Sequence, residues 1–241
     1  MYRCLISAGC SFAYGFNLPN RDKRYARLLA DHMKVELVDT SMAGASNETL
    51  AAAAIAGINK SLERYKPEEI ILLIGWTSTE RFEFFNKRRG HLMSSVANLK
   101  HHRNGDKNPY LKEIHLFNNK YLWDPSFGYY KLVHTFNYVH SFCKSHGIKV
   151  IHKQNLDHYQ AFFPDIQIKN AYIHNTDLIK SALSPEFARI FKDWTEGLSF
   201  QRETMRLKYI LQPGYDTHPN EEGHYMWFNH LIMSHNSLNP K

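Results

Sequence analysis

A serine near one end of the chain and a histidine near the other are placed as two halves of one catalytic site. The apolar run Cys4-Leu5-Ile6-Ser7-Ala8 passes directly into Gly9-Cys10-Ser11-Phe12. A serine on a tight strand-to-helix turn lifts its hydroxyl above the sheet. Far downstream, Asp216-Thr217-His218-Pro219-Asn220 precedes the last helical segment. A serine hydroxyl is a poor nucleophile near neutral pH and needs an imidazole to accept its proton. Of the fifteen histidines, His218 is the one set in such a motif. Asp216 can support the ring if the segment is extended, because alternate side chains then share a face. It would hold the imidazole tautomer and stabilise the protonated ring. If the segment turns instead, a Ser11–His218 dyad remains.

The carbonyl oxygen under attack becomes negative and needs fixed donors. The Ser11 and Gly44 amides are candidates, and the third donor is either the Thr77 hydroxyl or the Asn47 side-chain amide. Cys10 offers a rival thiol, but a neighbour of Ser11 on so tight a turn points another way. Each residue also has a plainer role. Ser11 suits a helix cap, as do Ser46 and Asn47, while Asp216 and His218 suit a surface turn before a helix begun by Pro219 and Asn220. Thr77, Ser78, Glu80 and Arg81 suit helix initiation after a strand. His101 and His102 are adjacent and diverge, and His218 with His224 lacks the spacing of a helical zinc pair, so neither metal nor cofactor is expected.

These residues meet only if the intervening chain builds a suitable scaffold. Residues 3–8 and 35–39 read as strands around a helix over 22–33, with Tyr25, Leu28, Leu29 and Met33 on its apolar face. A second helix runs over about 47–65, and Pro67 marks its exit. Ile70-Ile71-Leu72-Leu73-Ile74 is the clearest strand, since five aliphatic residues in succession suit a central parallel strand covered on both faces. From about 86 to 127 polar, basic and aromatic residues mix without period, which reads as an insertion. A helix over about 129–146, ended by Gly147, and a strand over 148–152 follow. Residues 155–207 read as mostly helical or irregular, with Phe187, Ile190, Phe191 and Trp194 as a buried stripe. The final helix runs over about 221–234, opened by Asn220. This alternation predicts an α/β fold, a three-layer α/β/α sandwich with a mainly parallel five-stranded sheet in the flavodoxin-like order 2-1-3-4-5. Ser11, Gly44 and Gly75 would then converge at the carboxyl ends of neighbouring strands.

Four segments resemble the sequence blocks of the SGNH, or GDSL-type, hydrolases. Gly9-Cys10-Ser11-Phe12 is similar to the first block with Cys10 in the usual aspartate position, and Tyr14-Gly15 extends it. Met42-Ala43-Gly44-Ala45-Ser46-Asn47 resembles the second, whose glycine amide helps bind the oxyanion. Ile74-Gly75-Trp76-Thr77-Ser78 stands at the third, with Thr77 where the family has asparagine. Asp216 to Asn220, followed by Gly223-His224, resembles the fourth; the family's aspartate sits three residues before its histidine, where this chain has Tyr215. The resemblance implies a serine-dependent esterase acting on a small or carbohydrate O-acyl ester through an acyl-enzyme, or an acyltransferase using the same site. The departures in the third and fourth blocks leave open a noncatalytic glycan- or nucleic-acid-binding protein on the same fold. The serine-first, histidine-last pattern is most similar to small bacteriophage-encoded members.

With 241 residues, 43% hydrophobic and 22% charged, the chain can bury a core as one domain over 1–241, carrying the insertion at about 86–127. Three widely spaced cysteines fit neither a disulfide framework nor a zinc ribbon, and suit a reducing compartment. The chain shows no secretory signal and no run near the roughly 20 apolar residues that cross a bilayer, so a cytoplasmic protein without a membrane partner is expected. The formal charge of +7 would attract polyanions. Much of it falls between residues 87 and 112, whose plainer role is a solvated surface. Lys87, Arg88 and Arg89, with Trp76, are the candidate substrate wall, since cations and aromatic faces suit anionic or sugar ligands.

Overall fold

The computed structural model describes residues 1–86, 91–96, 113–114, 117, 125–156, 185–186, 189–190, 193, 198–212 and 216–239. In chain order the first elements are β1 (Cys4–Gly9), α1 (Ser11–Tyr14), α2 (Tyr25–Met33), β2 (Glu36–Asp39), α3 (Asn47–Leu62) and β3 (Ile70–Trp76). Next come β4 (Arg81–Asn86), β5 (His91–Val96), α4 (Pro125–Ser145), β6 (Lys149–Gln154), α5 (Phe200–Arg206), β7 (Ile210–Gln212), β8 (Asp216–Pro219) and α6 (Glu221–Ser234).

Four parallel strands form the main sheet in the order β2-β1-β3-β6. The register sets Gly9 beside Gly75 and Trp76 beside Gln154, which brings the carboxyl ends of β1, β3 and β6 level. Every residue of β3 is buried, as expected for a strand covered on both faces. Alternate residues feed two cores. Cys4, Ile6 and Ala8 with Ile70, Leu72 and Ile74 pack against α3 and α4, through Leu50, Ala54, Ile58, Phe136 and Val139. On the opposite face Leu5, Ile71, Leu73 and Ile151 pack against α2 and α6, through Tyr25, Leu29, Trp227 and Leu231. Each fully buried Leu or Ile contributes about 1.5–3 kcal/mol, so this three-layer arrangement fixes the sheet from both sides.

Of the expected five-stranded order 2-1-3-4-5 the first four places are present, with β6 as the fourth strand. The count is corrected to four among the described residues, where Gln154 at the edge makes an isolated parallel bridge to Ser199 and no fifth strand. Within the described residues β7 does not join this sheet but pairs antiparallel with β8. Two other expectations are corrected. Ser78, Glu80 and Arg81 start no helix: they lead into β4, which pairs antiparallel with β5, so part of the expected irregular insertion is a hairpin. The stripe at Phe187, Phe191 and Trp194 lies outside the described residues, whereas Ile190 packs against the α3–α4 core. Among the described residues no helix is long and apolar enough to cross a membrane.

Candidate active site

The first strand ends at Gly9, and α1 begins two residues later. Cys10 is the N-cap of this short helix and makes no side-chain cap bond. Its side chain is fully buried in the core shared with α2, which removes the thiol as a rival nucleophile. Ser11 is the first helical residue, only 6% exposed, and its hydroxyl is hydrogen-bonded to no described residue. It therefore does not serve as the helix cap that its residue type suggested.

The second loop runs alongside this turn, tied by the Met42 N–H to the Gly9 carbonyl at 2.8 Å. Gly44 sits in it at φ 80°, a left-handed conformation that favours glycine, and nothing lies within 4 Å of where a β-carbon would stand. Among the described residues neither the Ser11 nor the Gly44 N–H has a hydrogen-bond partner. Arg81 holds the loop from outside, donating through Nη1 to the Ala45 carbonyl at 2.9 Å, and the Ser46 and Thr49 hydroxyls both donate to the Glu83 carboxylate. Ser46, not Asn47, caps α3.

At the other end of the chain Asp216 and His218 lie on β8. The strand is extended, so both side chains face the same way. His218 Nδ1 meets Asp216 Oδ1 at 2.5 Å, and the same oxygen accepts the His218 backbone N–H at 2.9 Å. Asn17 donates to the second oxygen, Oδ2, at 2.9 Å. Burial works to raise the Asp216 pKa, but the bonds from Asn17 and His218 outweigh it and hold the carboxyl below its ordinary value. The imidazole lies against the Ser11 loop, with the rings of Phe12 and Phe16 each centred 5.1 Å from it. Neither the Ser11 hydroxyl nor His218 Nε2 is hydrogen-bonded to a described residue. Catalytic hydrogen bonds of free enzymes are often long and tighten when substrate binds.

Two of the expected site residues, Asn47 and Trp76, have other work. Asn47 is buried, and its amide is engaged with the backbone of Thr77 in both directions: Nδ2 donates to the Thr77 carbonyl at 3.1 Å and Oδ1 accepts the Thr77 N–H at 2.9 Å. It fastens the start of α3 to the end of β3, a structural tie for a residue expected as an oxyanion donor. Thr77 is itself fully buried, and its hydroxyl has no hydrogen-bond partner among the described residues. Trp76 belongs to the core and forms no substrate wall, because β3 continues past Ile74 and carries the indole inward. There it stacks on Phe136 and donates to His152 Nδ1 at 3.1 Å. Lys87, Arg88, Arg89 and Tyr215 lie outside the described residues.

Two asparagines at the site were not anticipated. Asn17 is an exposed loop residue with no pattern around it. Asn155 follows β6 at the carboxyl end of the sheet, a position that could have drawn attention on topology alone. It is fully buried, accepts from the Tyr25 hydroxyl at 3.3 Å and donates to the Gly75 carbonyl at 3.3 Å.

No protein-family model matches the sequence, and no curated protein matches it. Solved structures match its architecture. The chain is similar to TesA at 12% identity, over 98% of this chain and 99% of that one, with a TM-score of 0.52. It is similar to the psychrotrophic esterase EstA from Pseudoalteromonas sp. at 12% identity, over 96% of both chains, with a TM-score of 0.51. A member of the lipolytic G-D-S-L family from Veillonella parvula matches at 11% identity, over 96% of this chain and 97% of that one, with a TM-score of 0.50. The expected kinship with bacteriophage proteins finds no support among them. Identity this low speaks to fold alone: the chain has the mainly parallel α/β architecture of the SGNH hydrolases.

Proposed function

We propose that this chain is an SGNH-type serine ester hydrolase in which Ser11 is the nucleophile, His218 the base and Asp216 its support. The observation that carries the proposal is the Asp216–His218 pair lying against the loop that opens with Ser11, whose hydroxyl is committed to no other described group.

With Nδ1 protonated and donating to Asp216, the lone pair of the imidazole is on Nε2. Nε2 takes the Ser11 proton as Oγ bonds to the acyl carbon. The former carbonyl oxygen becomes an oxyanion served by the Ser11 and Gly44 N–H groups, both without a partner among the described residues. Collapse of this intermediate breaks the ester C–O bond, and Nε2 gives its proton to the departing alcohol. Water then attacks the acyl-serine, losing its proton to Nε2; the acid departs and the proton returns to Ser11.

A small or carbohydrate O-acyl ester is the proposed substrate. Phe16 beside His218 and Met42 in the Gly44 loop, each 40% exposed, offer apolar surface to an acyl group or a sugar face. The test is hydrolysis of p-nitrophenyl esters of increasing acyl length and of a peracetylated sugar, by the wild-type chain and by Ser11→Ala. Release of acid by the wild type alone supports the proposal. Equal rates for the two, or no hydrolysis of any ester by folded protein, reject it.

A further inference from the structure

We propose that Asn17 is the positioning residue that sets the Asp216–His218 pair for the chemistry of Ser11, a role that rests on the hydrolase reading above. Its side-chain amide reaches Asp216 Oδ2 at 2.9 Å across 199 residues of sequence. The other oxygen is already engaged, since Oδ1 faces both the backbone N–H and Nδ1 of His218. A carboxylate gripped by one oxygen can swing about its broad terminal torsion, whereas one gripped by both presents a fixed acceptor to the ring. Asn17 supplies the second grip.

The grip is built into the nucleophile's own loop. Gly15 closes α1 at φ 71°, and the Phe16 N–H returns to the Ser11 carbonyl at 3.0 Å. Asn17 then stands at φ 59°, a conformation that asparagine takes more readily than other residues with a β-carbon. The same loop supplies the two rings against the imidazole, Phe12 and Phe16. One short segment thus begins with the nucleophile, flanks the base, and ends on the outer oxygen of the supporting acid. The Asn17 bond ties the Asp216–His218 pair to the segment that carries Ser11, which restrains their separation. That matters because misplacement by about 1 Å can cost a catalytic group about a hundredfold in rate.

The test uses Asn17→Gly and Asn17→Asp. Glycine adopts φ 59° without strain and removes only the amide. Aspartate keeps the shape and the backbone preference but sets a carboxylate against Asp216, and like charges oppose. With p-nitrophenyl acetate, kcat should fall roughly tenfold in N17G and further in N17D, with KM within about twofold and the melting temperature little changed. Proton NMR should show a low-field resonance for the His218 Nδ1–H, identified by its loss in Asp216→Ala, that broadens in N17G. Wild-type kcat with an unaltered resonance in N17G would overturn the role. A kcat loss matched by a large drop in melting temperature would overturn it too, assigning Asn17 to loop folding. If the wild-type chain hydrolyses nothing, the hydrolase reading fails by itself, and the resonance still decides whether Asn17 orders the pair.

Discussion

Asn155 lies so close over Gly75 that a β-carbon on the glycine would stand 2.2 Å from the asparagine Nδ2. The same amide donates to the Gly75 carbonyl and would meet a β-carbon on Gly9 at 2.7 Å, so one buried side chain spans the carboxyl ends of β1 and β3. Gly75 is glycine because Asn155 occupies the space of its side chain. Gly75→Ala should destabilise the fold by roughly 1–3 kcal/mol, since the new methyl would displace a fully buried, hydrogen-bonded Asn155. Asn155→Ala also costs stability, by leaving the Tyr25 hydroxyl without its acceptor. The two losses should combine to less than their sum in the double variant, which urea denaturation of the four proteins measures.

Asn47→Ala separates a structural role from a catalytic one. Losing the amide strips partners from the buried N–H and carbonyl of Thr77, at about 1–3 kcal/mol for each group left unsatisfied. A true oxyanion donor would instead cost roughly 10²- to 10³-fold in kcat. The expected result is a clear drop in unfolding free energy, with kcat lowered less than about tenfold at a temperature where the variant stays folded.

Glu80 gives the fold a pH dependence of its own. It is 6% exposed, and burial pushes its carboxyl up to about 7 against the pull of Arg81. Below pH 4.5 the carboxyl is protonated whether the chain is folded or not, and burial costs nothing. As pH rises from there through about 7 the unfolded chain ionises first, so stability falls; above 7 the folded state bears the full cost. Glu80→Gln should therefore stabilise the protein by on the order of 3 kcal/mol at pH 8 and by almost nothing at pH 4. Melting temperatures across that range check it, and an equal gain at both ends would contradict it.

Asp216→Asn tests the support of the base. An amide in place of the carboxylate can turn its NH₂ toward Nδ1, which favours the tautomer whose Nε2 carries the proton and cannot accept one. Loss of about 10²- to 10⁴-fold in kcat is expected, with the protein still folded. A wild-type rate would reduce the site to Ser11 and His218.

Much of the scaffold was legible because its signals are local. The aliphatic run of β3, the glycine stop at Gly147 and the Asn220 cap, which accepts the Gly223 N–H at 2.9 Å, each depend on neighbours in sequence. So did the relation of Asp216 to His218, which needs only an extended backbone. The alternation Arg81-Phe82-Glu83-Phe84 carried a strand signal too, but polar residues just after β3 read equally well as a helix start. The roles of Asn17, Asn47 and Asn155 were hidden for a different reason. Each is decided by a partner remote in sequence, at Asp216, Thr77 and Gly75, and no periodicity records such a pairing. Trp76 was misplaced by the length of one strand, since two more residues of β3 turned a wall into core.

Activation of Ser11 by His218 is read out by covalent labelling. A fluorophosphonate probe phosphonylates a serine whose proton a neighbouring base removes, and peptide mass spectrometry identifies the residue that carries it. One modified serine is expected, Ser11, with labelling abolished in Ser11→Ala and strongly slowed in His218→Ala. Folded wild-type protein that takes up no label, or takes it equally well without His218, would contradict it.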